Sequence, residues 1–276
     1  MKKNWSTFLL LAILLIGLSL LLYPSFSDWW NSFHQTRAIA SYTEQVSNMD
    51  DAKYDQIWSE AWDYNRSLRS NPNSFLLTEE QVEKYEKLLN VTGTGIMGYV
   101  EIPVIDVMLP IYHGTDEAVL QVAIGHLEWT SLPVGGSGSH CVVSGHRGLP
   151  SAQLFTDLDK LVVGDIFVLH VLDEILTYEV DQIRIVDPSE TDDLMIEEGK
   201  DLCTLFTCTP YGVNSHRMLV RGHRVENAEH EVVVRVMADA IQIEPMIVAP
   251  FVAVPILFVL LIGVMMPKRK RRNDIE

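Results

Sequence analysis

Thr204-Leu205-Phe206-Thr207-Cys208-Thr209-Pro210-Tyr211-Gly212-Val213-Asn214-Ser215-His216-Arg217 is the stretch on which the fold turns. Its first half is uncharged and rich in β-formers, so it reads as a buried strand over 202–208. Thr209-Pro210-Tyr211-Gly212 then supplies the proline and glycine that a turn demands. Arg217 opens a second β-rich run, RMLVRGHRV over 217–225, nine residues after Cys208. That spacing leaves room for a loop that returns the chain beside the first strand.

Other short β-rich runs lie upstream: MGYVEI (97–102), CVVS (141–144), DIFVLHVL (165–172) and ILTYEVDQIRIV (175–186). Asp173-Glu174 between the last two predicts a tight hairpin. Many short strands with few helices between them imply a mostly β fold, a barrel or a sandwich. The acidic stretch 187–201, DPSETDDLMIEEGKD, has carboxylates that a hard cation would want, but their spacing does not fit the EF-hand pattern. It reads as a solvated loop.

Before residue 96 the pattern is helical. Tyr54, Trp58 and Trp62 repeat at i, i+4 and i+8, which sets a packing stripe on one helix face. Asn71-Pro72-Asn73 breaks that helix. Thr78-Glu79-Glu80-Gln81 matches a capping box, so a second helix is expected to run to about Leu89.

Both ends point to a lipid bilayer. Phe8–Leu22 carries no charge, and the apolar stretch around it reaches about 20 residues, the length of a bilayer core. Lys2 and Lys3 precede it, and Trp29 and Trp30 follow as an interfacial belt. No small-residue cleavage site follows Leu22, which favours an uncleaved anchor over a signal peptide. Met246–Met266 is a second uncharged apolar segment, followed by Lys268-Arg269-Lys270-Arg271-Arg272. The positive-inside rule puts both termini in the cytoplasm and the intervening chain outside.

The whole chain of 276 residues has a formal net charge of −16. Setting aside Lys2, Lys3, the basic residues of 268–272, Asp274 and Glu276 leaves 14 basic and 35 acidic side chains, a net charge of −21. Such acidity excludes a broad phosphate-binding face, so no nucleic-acid partner is expected. Three cysteines are too few for a disulfide-built scaffold.

Cys208 is the best-placed nucleophile because it ends a strand at a turn. Cys141 and Cys203 lie inside strand patterns and read as small buried hydrophobes, able to pair only if their strands are neighbours. Cys203 and Cys208 have opposite parity and face opposite sides of a regular strand. A thiol needs a partner to become a thiolate, and imidazole is the usual one. His146 also stands at a strand exit, after CVVSG and before Arg147-Gly148-Leu149-Pro150. An acyl-transfer oxyanion needs a fixed donor, and Arg217 opens the returning strand, with Arg221 on the same face. His216 points to the other face and reads as structural, as Ser144 does.

Thr204-Leu205-Phe206-Thr207-Cys208 with Thr209-Pro210-Tyr211-Gly212-Val213-Asn214-Ser215-His216-Arg217 resembles the cysteine–arginine signature of sortases. Ser144-Gly145-His146-Arg147-Gly148-Leu149-Pro150 resembles their histidine segment. Pro110-Ile111-Tyr112-His113-Gly114 and the region from Gly125-His126 to Gly135-Gly136 are similar to stretches found there. The likeness covers roughly residues 96–225, and the second apolar segment is similar to class C, the pilin-polymerising sortases.

The resemblance implies an eight-stranded barrel, with N-terminal helices and a transmembrane helix at each end. It implies Cys208 as nucleophile, His146 as general acid/base and Arg217 as oxyanion stabiliser, with Thr207 a substrate contact. The implied partners are a Leu-Pro-x-Thr-Gly-like signal on surface proteins or pilins, cleaved between Thr and Gly, and an acceptor amine. That amine is a pilin lysine or, alternatively, a cell-wall precursor; simple hydrolysis is a third outcome. No cofactor and no metal are implied. Many class C sortases carry an Asp-Pro-aromatic lid, whereas Asn71-Pro72-Asn73-Ser74-Phe75 lacks the acidic anchor and reads as a plain linker.

The expected organisation is a cytoplasmic tip and anchor (1–26), an extracellular helical, lid-equivalent region (27–92) and a catalytic barrel (93–228). A linker (229–245), a second transmembrane helix (246–266) and a basic cytoplasmic tail (267–276) complete it.

Overall fold

Period-two alternation of apolar side chains is what gives the sheet one inner face. The computed structural model describes residues 5–69 and 77–227. Its strands are β1 (Ile96–Ile102), β2 (Val107–His113), β3 (Ile124–His126), β4 (Ser139–Ser144), β5 (Ile166–Val171), β6 (Glu174–Val186), β7 (Asp201–Thr209) and β8 (His216–Arg224). Along β5 buried and half-buried residues alternate strictly. Phe167, Leu169 and Val171 point inward, where they meet Leu176, Tyr178, Cys203, Leu205 and Val220. The Phe167 and Tyr178 rings stack with centroids 5.5 Å apart.

The eight strands close in the order β1-β2-β3-β4-β7-β8-β6-β5. Closure pairs every strand on both sides, which removes the exposed edges that open sheets must protect. This is the mostly β, eight-stranded barrel that the resemblance implies, and it decides between the barrel and the sandwich that the strand pattern left open. Two of its pairings are parallel, β2 with β3 and β4 with β7. Parallel neighbours need a crossover. The short helix α4 (Glu117–Leu120) lies in the first, and the β5–β6 hairpin lies in the second.

Six strands fall where the pattern predicts, within a residue or two. β2 and β3 do not announce themselves as strands. Pro110 interrupts the first, Met108 breaks its burial, and the second is only three residues long. The hairpin turn sits on Leu172-Asp173, one residue earlier than expected, with Leu172 at φ +53°.

Ahead of the barrel, the described residues form α1 (Trp5–Ser47), α2 (Asp51–Arg69) and α3 (Glu79–Tyr85). Residues 26–229 belong to one unit; the apolar Trp5–Ser25 half of α1 falls outside it. Among the described residues, α1 is the one helix long and apolar enough to cross a membrane. It does not stop at residue 26 but continues to Ser47. Tyr54 stacks on Trp58 at 6.2 Å, and Trp58 and Trp62 pack against the barrel core, so the aromatic stripe is a packing face. The capping box at Thr78 is formed in both directions. Its helix ends at Tyr85, short of Leu89: the Lys87 and Leu88 N–H groups bond carbonyls three residues back, and Leu89 then takes a left-handed φ of +56°.

The acidic stretch between β6 and β7 is more than a solvated loop. Leu194 is buried against Val142, Val186 and Leu219 on the outer face of the barrel. Arg184 holds Asp193 at 2.7 Å, and Arg221 holds Glu197 at 3.0 Å. The buried Leu194 and these two ion pairs together fasten the acidic run. The lid-equivalent Asn71–Phe75, the linker, the second apolar segment and the basic tail lie outside the described residues.

Candidate active site

β4 and β7 run parallel, with Ser144 opposite Phe206. The Gly145 N–H donates to the Phe206 carbonyl at 3.0 Å and extends that register by one step. Carried one step further, that register sets His146, just past the end of β4, level with Cys208 near the end of β7. On the other flank of β7, Cys208 is the direct cross-strand partner of Arg217 on β8. The register therefore assigns three residues from three chain segments to one rim of the barrel.

Strand parity sets which way Cys208 faces. Cys203, Leu205, Thr207 and Thr209 form the inner face of β7 and are buried. Phe206 and Cys208 face outward and are half-buried. The Cys208 thiol is free. His146 keeps 28% of its side chain exposed, and its Nε2 lies 3.9 Å from Glu117 Oε2 on α4. Arg217 donates from Nη1 to the Asn214 and His216 carbonyls, both at 3.1 Å. Its Nη2 and Nε have no partner among the described residues, so donors remain for a substrate oxygen.

The loop that carries His146 is fastened from several sides. Arg147 donates from Nη1 to Thr209 Oγ1 at 3.4 Å and from Nη2 to Asp159. Phe155 N–H donates to the His146 carbonyl at 3.1 Å, and Gly148 N–H to Thr156 Oγ1 at 3.0 Å. Gly148 sits at φ +76°, and a Cβ there would collide with the Tyr211 ring. Only glycine lets the Tyr211 ring lie against the histidine loop. The loops bearing His146 and Cys208 are thus packed directly together.

Thr207 stands apart from the other three. It is 1% exposed, on the face opposite Cys208, and its hydroxyl donates to the Gly145 carbonyl at 2.7 Å. Parity turns Thr207 inward, away from the face that carries Cys208, where it pins the end of β4. The His216 ring bonds the Ser215 hydroxyl, and its carbonyl accepts from Arg217. Arg221 is drawn to Asp181 and Glu197, clamping the acidic segment. Glu117, Arg147 and Tyr211 are site neighbours that the pattern did not single out, since their proximity to the cluster arises only through loops.

Cys141 and Cys203 are neighbours in the β4–β7 register, both free thiols in the core. Burial pushes the Cys203 thiol well above its usual range.

A cysteine, a histidine and an arginine gathered at the ends of adjoining strands of a closed eight-stranded barrel define a class of site suited to acyl transfer through a thiol. The Sortase domain family model matches residues 100–225. Sortase C1 from Streptococcus agalactiae is 52% identical, with a TM-score of 0.68; the match covers 70% of this chain and 100% of that one. A Clostridium perfringens sortase C, solved with the C-terminal cell wall sorting motif, is 43% identical with a TM-score of 0.62, covering 70% and 100%. Sortase D of Bacillus subtilis (strain 168) is 32% identical over 131 residues, 46% of this chain and 63% of its own length. The matched part thus spans less than two thirds of that curated relative. The chain belongs to the sortase family, and its structural neighbours are of the sortase C kind.

Proposed function

We propose that this chain is a membrane-anchored cysteine transpeptidase that cleaves a Leu-Pro-x-Thr-Gly-like signal between Thr and Gly. The acyl group then passes to an amine, a pilin lysine. The observation that carries the reading is the register: Cys208 pairs directly with Arg217, and the β4–β7 pairing carried two steps past Ser144–Phe206 sets His146 level with Cys208. The solved sortase C bound to a sorting motif supports the substrate class.

The chemistry follows from the positions. The Cys208 thiolate attacks the Thr carbonyl carbon, and the oxygen gains charge. Arg217 donors stabilise that oxyanion as it develops. The Thr–Gly C–N bond breaks, and His146 gives its proton to the departing glycine amine. The acyl group is held on Cys208 as a thioester. An incoming amine attacks, His146 takes its proton, and the thiolate is released, leaving a new amide bond. Thr207 serves by pinning Gly145, and so the start of the histidine loop, against β7.

The anchoring follows from the sequence. The apolar half of α1 spans the membrane once and 246–266 spans it again, with both termini cytoplasmic and the barrel outside. The domain divisions are those of the sequence reading. The test is to incubate the full chain in detergent with a sorting-signal peptide and a lysine-bearing acceptor, and to follow products by mass spectrometry. Acceptor-linked peptide is the expected product. Hydrolysed peptide alone would remove the transpeptidase reading, and linkage only to a cell-wall precursor amine would replace the pilin acceptor.

A further inference from the structure

The second half of α1 presents a regular stripe to the barrel. Asp28, Asn31, Gln35, Ile39 and Tyr42 recur at three- and four-residue steps along it. Ile39 and Tyr42 are buried, and Tyr42 donates to the Met97 carbonyl and accepts from Leu172 N–H. Trp29, Trp30 and Phe33, on other faces of the helix, stay about half exposed.

The upper part of that stripe reaches the segment that follows His146. Asp28 Oδ1 accepts from Gln153 N–H at 2.7 Å. Asn31 Nδ2 donates to the Ser151 carbonyl at 2.8 Å. Gln35 Nε2 donates to the Val122 carbonyl, beside β3. The held segment then folds back on the histidine: Leu149 bridges Ala152, Phe155 N–H bonds the His146 carbonyl, and Thr156 bonds Gly148. An unbroken run of hydrogen bonds and short chain links joins Asp28 and Asn31 to His146.

We propose that Asp28 and Asn31 are positioning residues for catalysis. The helix that emerges from the apolar anchor clamps residues 151–153, and the clamp sets the orientation of His146 toward Cys208. Both ends of the clamped segment are backbone groups, so the helix supplies what a free loop lacks: an external acceptor for Gln153 and an external donor for Ser151. Misplacing a catalytic group by about 1 Å can cost up to roughly 10²-fold in rate.

The proposal rests on His146 and Cys208 being the reacting pair, so one readout is taken without substrate. The full chain in detergent is compared with Asp28→Ala/Asn31→Ala, Asp28→Asn and Asn31→Asp. Hydrogen exchange is followed at the amides of Gly148 and Phe155, and kcat and KM are measured with the sorting-signal peptide. The double variant is expected to exchange faster at both amides and to lose about 10-fold in kcat with KM unchanged. Asp28→Asn keeps the acceptor and is expected to retain activity; Asn31→Asp loses the donor and is expected not to. Unchanged exchange in a folded double variant overturns the clamp, whatever the turnover. Faster exchange with a wild-type kcat overturns the positioning role and leaves only a structural one. A chain that fails to turn over in every form, with exchange altered as expected, counts against the transpeptidase reading and not against the clamp.

Discussion

Cys203 and Cys208 lie five residues apart on one strand and have opposite environments. Cys203 faces the barrel interior, fully buried beside Cys141, where burial keeps its thiol protonated. Cys208 faces outward at the strand's end, between a histidine loop and an arginine. The difference comes from parity and from closure. Closing the sheet makes one face of β7 a core and leaves the other as a surface on which chemistry can be placed.

Substitutions and conditions that act on one face or the other sharpen that comparison. On the outer face, Arg217→Ala should reduce kcat on the order of 10²–10³ while leaving the thermal melt nearly unchanged, as for other oxyanion donors. Single-turnover acylation checks this, and a wild-type rate would take Arg217 out of the mechanism. On the inner face, Leu205→Ala should do the reverse. It removes a fully buried side chain from the core and should cost about 2–5 kcal/mol in denaturant unfolding, with the folded fraction still active.

The cysteines themselves give the next contrast. Cys203→Ala should cost about 1 kcal/mol and keep turnover; Cys208→Ala should change stability by less than about 0.5 kcal/mol and end turnover. Native alkylation should mark Cys208 and spare Cys141 and Cys203 until the chain unfolds. Labelling of all three at equal rates would erase the distinction.

The smallest effect concerns pH. His140 is buried on β4, and its Nδ1 must donate to the Met195 carbonyl at 2.8 Å, leaving Nε2 to accept from Thr204. Burial holds its pKa below the usual imidazole value, and His113 shifts in the same direction for the same reason. A lowered folded pKa means that the unfolded chain takes up more protons below about pH 6.5. Stability is therefore full above that value and declines as pH falls through the folded one. Melting at pH 7.5 and 5.5 should show a lower Tm at the acidic pH, and His140→Gln should reduce the difference. An unchanged difference would show that His140 takes up as many protons folded as unfolded.

How much of this was legible in the sequence depended on whether a feature is local. Alternation along β5, the capping box at Thr78 and the parity of Cys203 and Cys208 are properties of a few consecutive residues. The contiguous signature from Thr204 to Arg217 carried the family, and with it the expected cluster of Cys208, His146 and Arg217. What escaped depends on parallel pairing and crossovers. Nothing in the spacing brings β4 beside β7, so the contact between Cys141 and Cys203 and the inward role of Thr207 emerge only when the barrel closes. β3 is too short to show a period. The link from Asp28 to Gln153 spans 125 positions, and an aspartate after an apolar helix gives no hint of its partner.

The most direct test is to locate the acyl group. The full chain is mixed with a Leu-Pro-x-Thr-Gly peptide, quenched in acid and digested, and each cysteine-bearing peptide is weighed. The acyl adduct should sit on the peptide carrying Cys208, vanish when an amine acceptor is added before the quench, and persist in Cys203→Ala. An adduct on Cys141 or Cys203, or none on Cys208 while substrate is consumed, would contradict the assignment of the outward face of β7 as the site of chemistry.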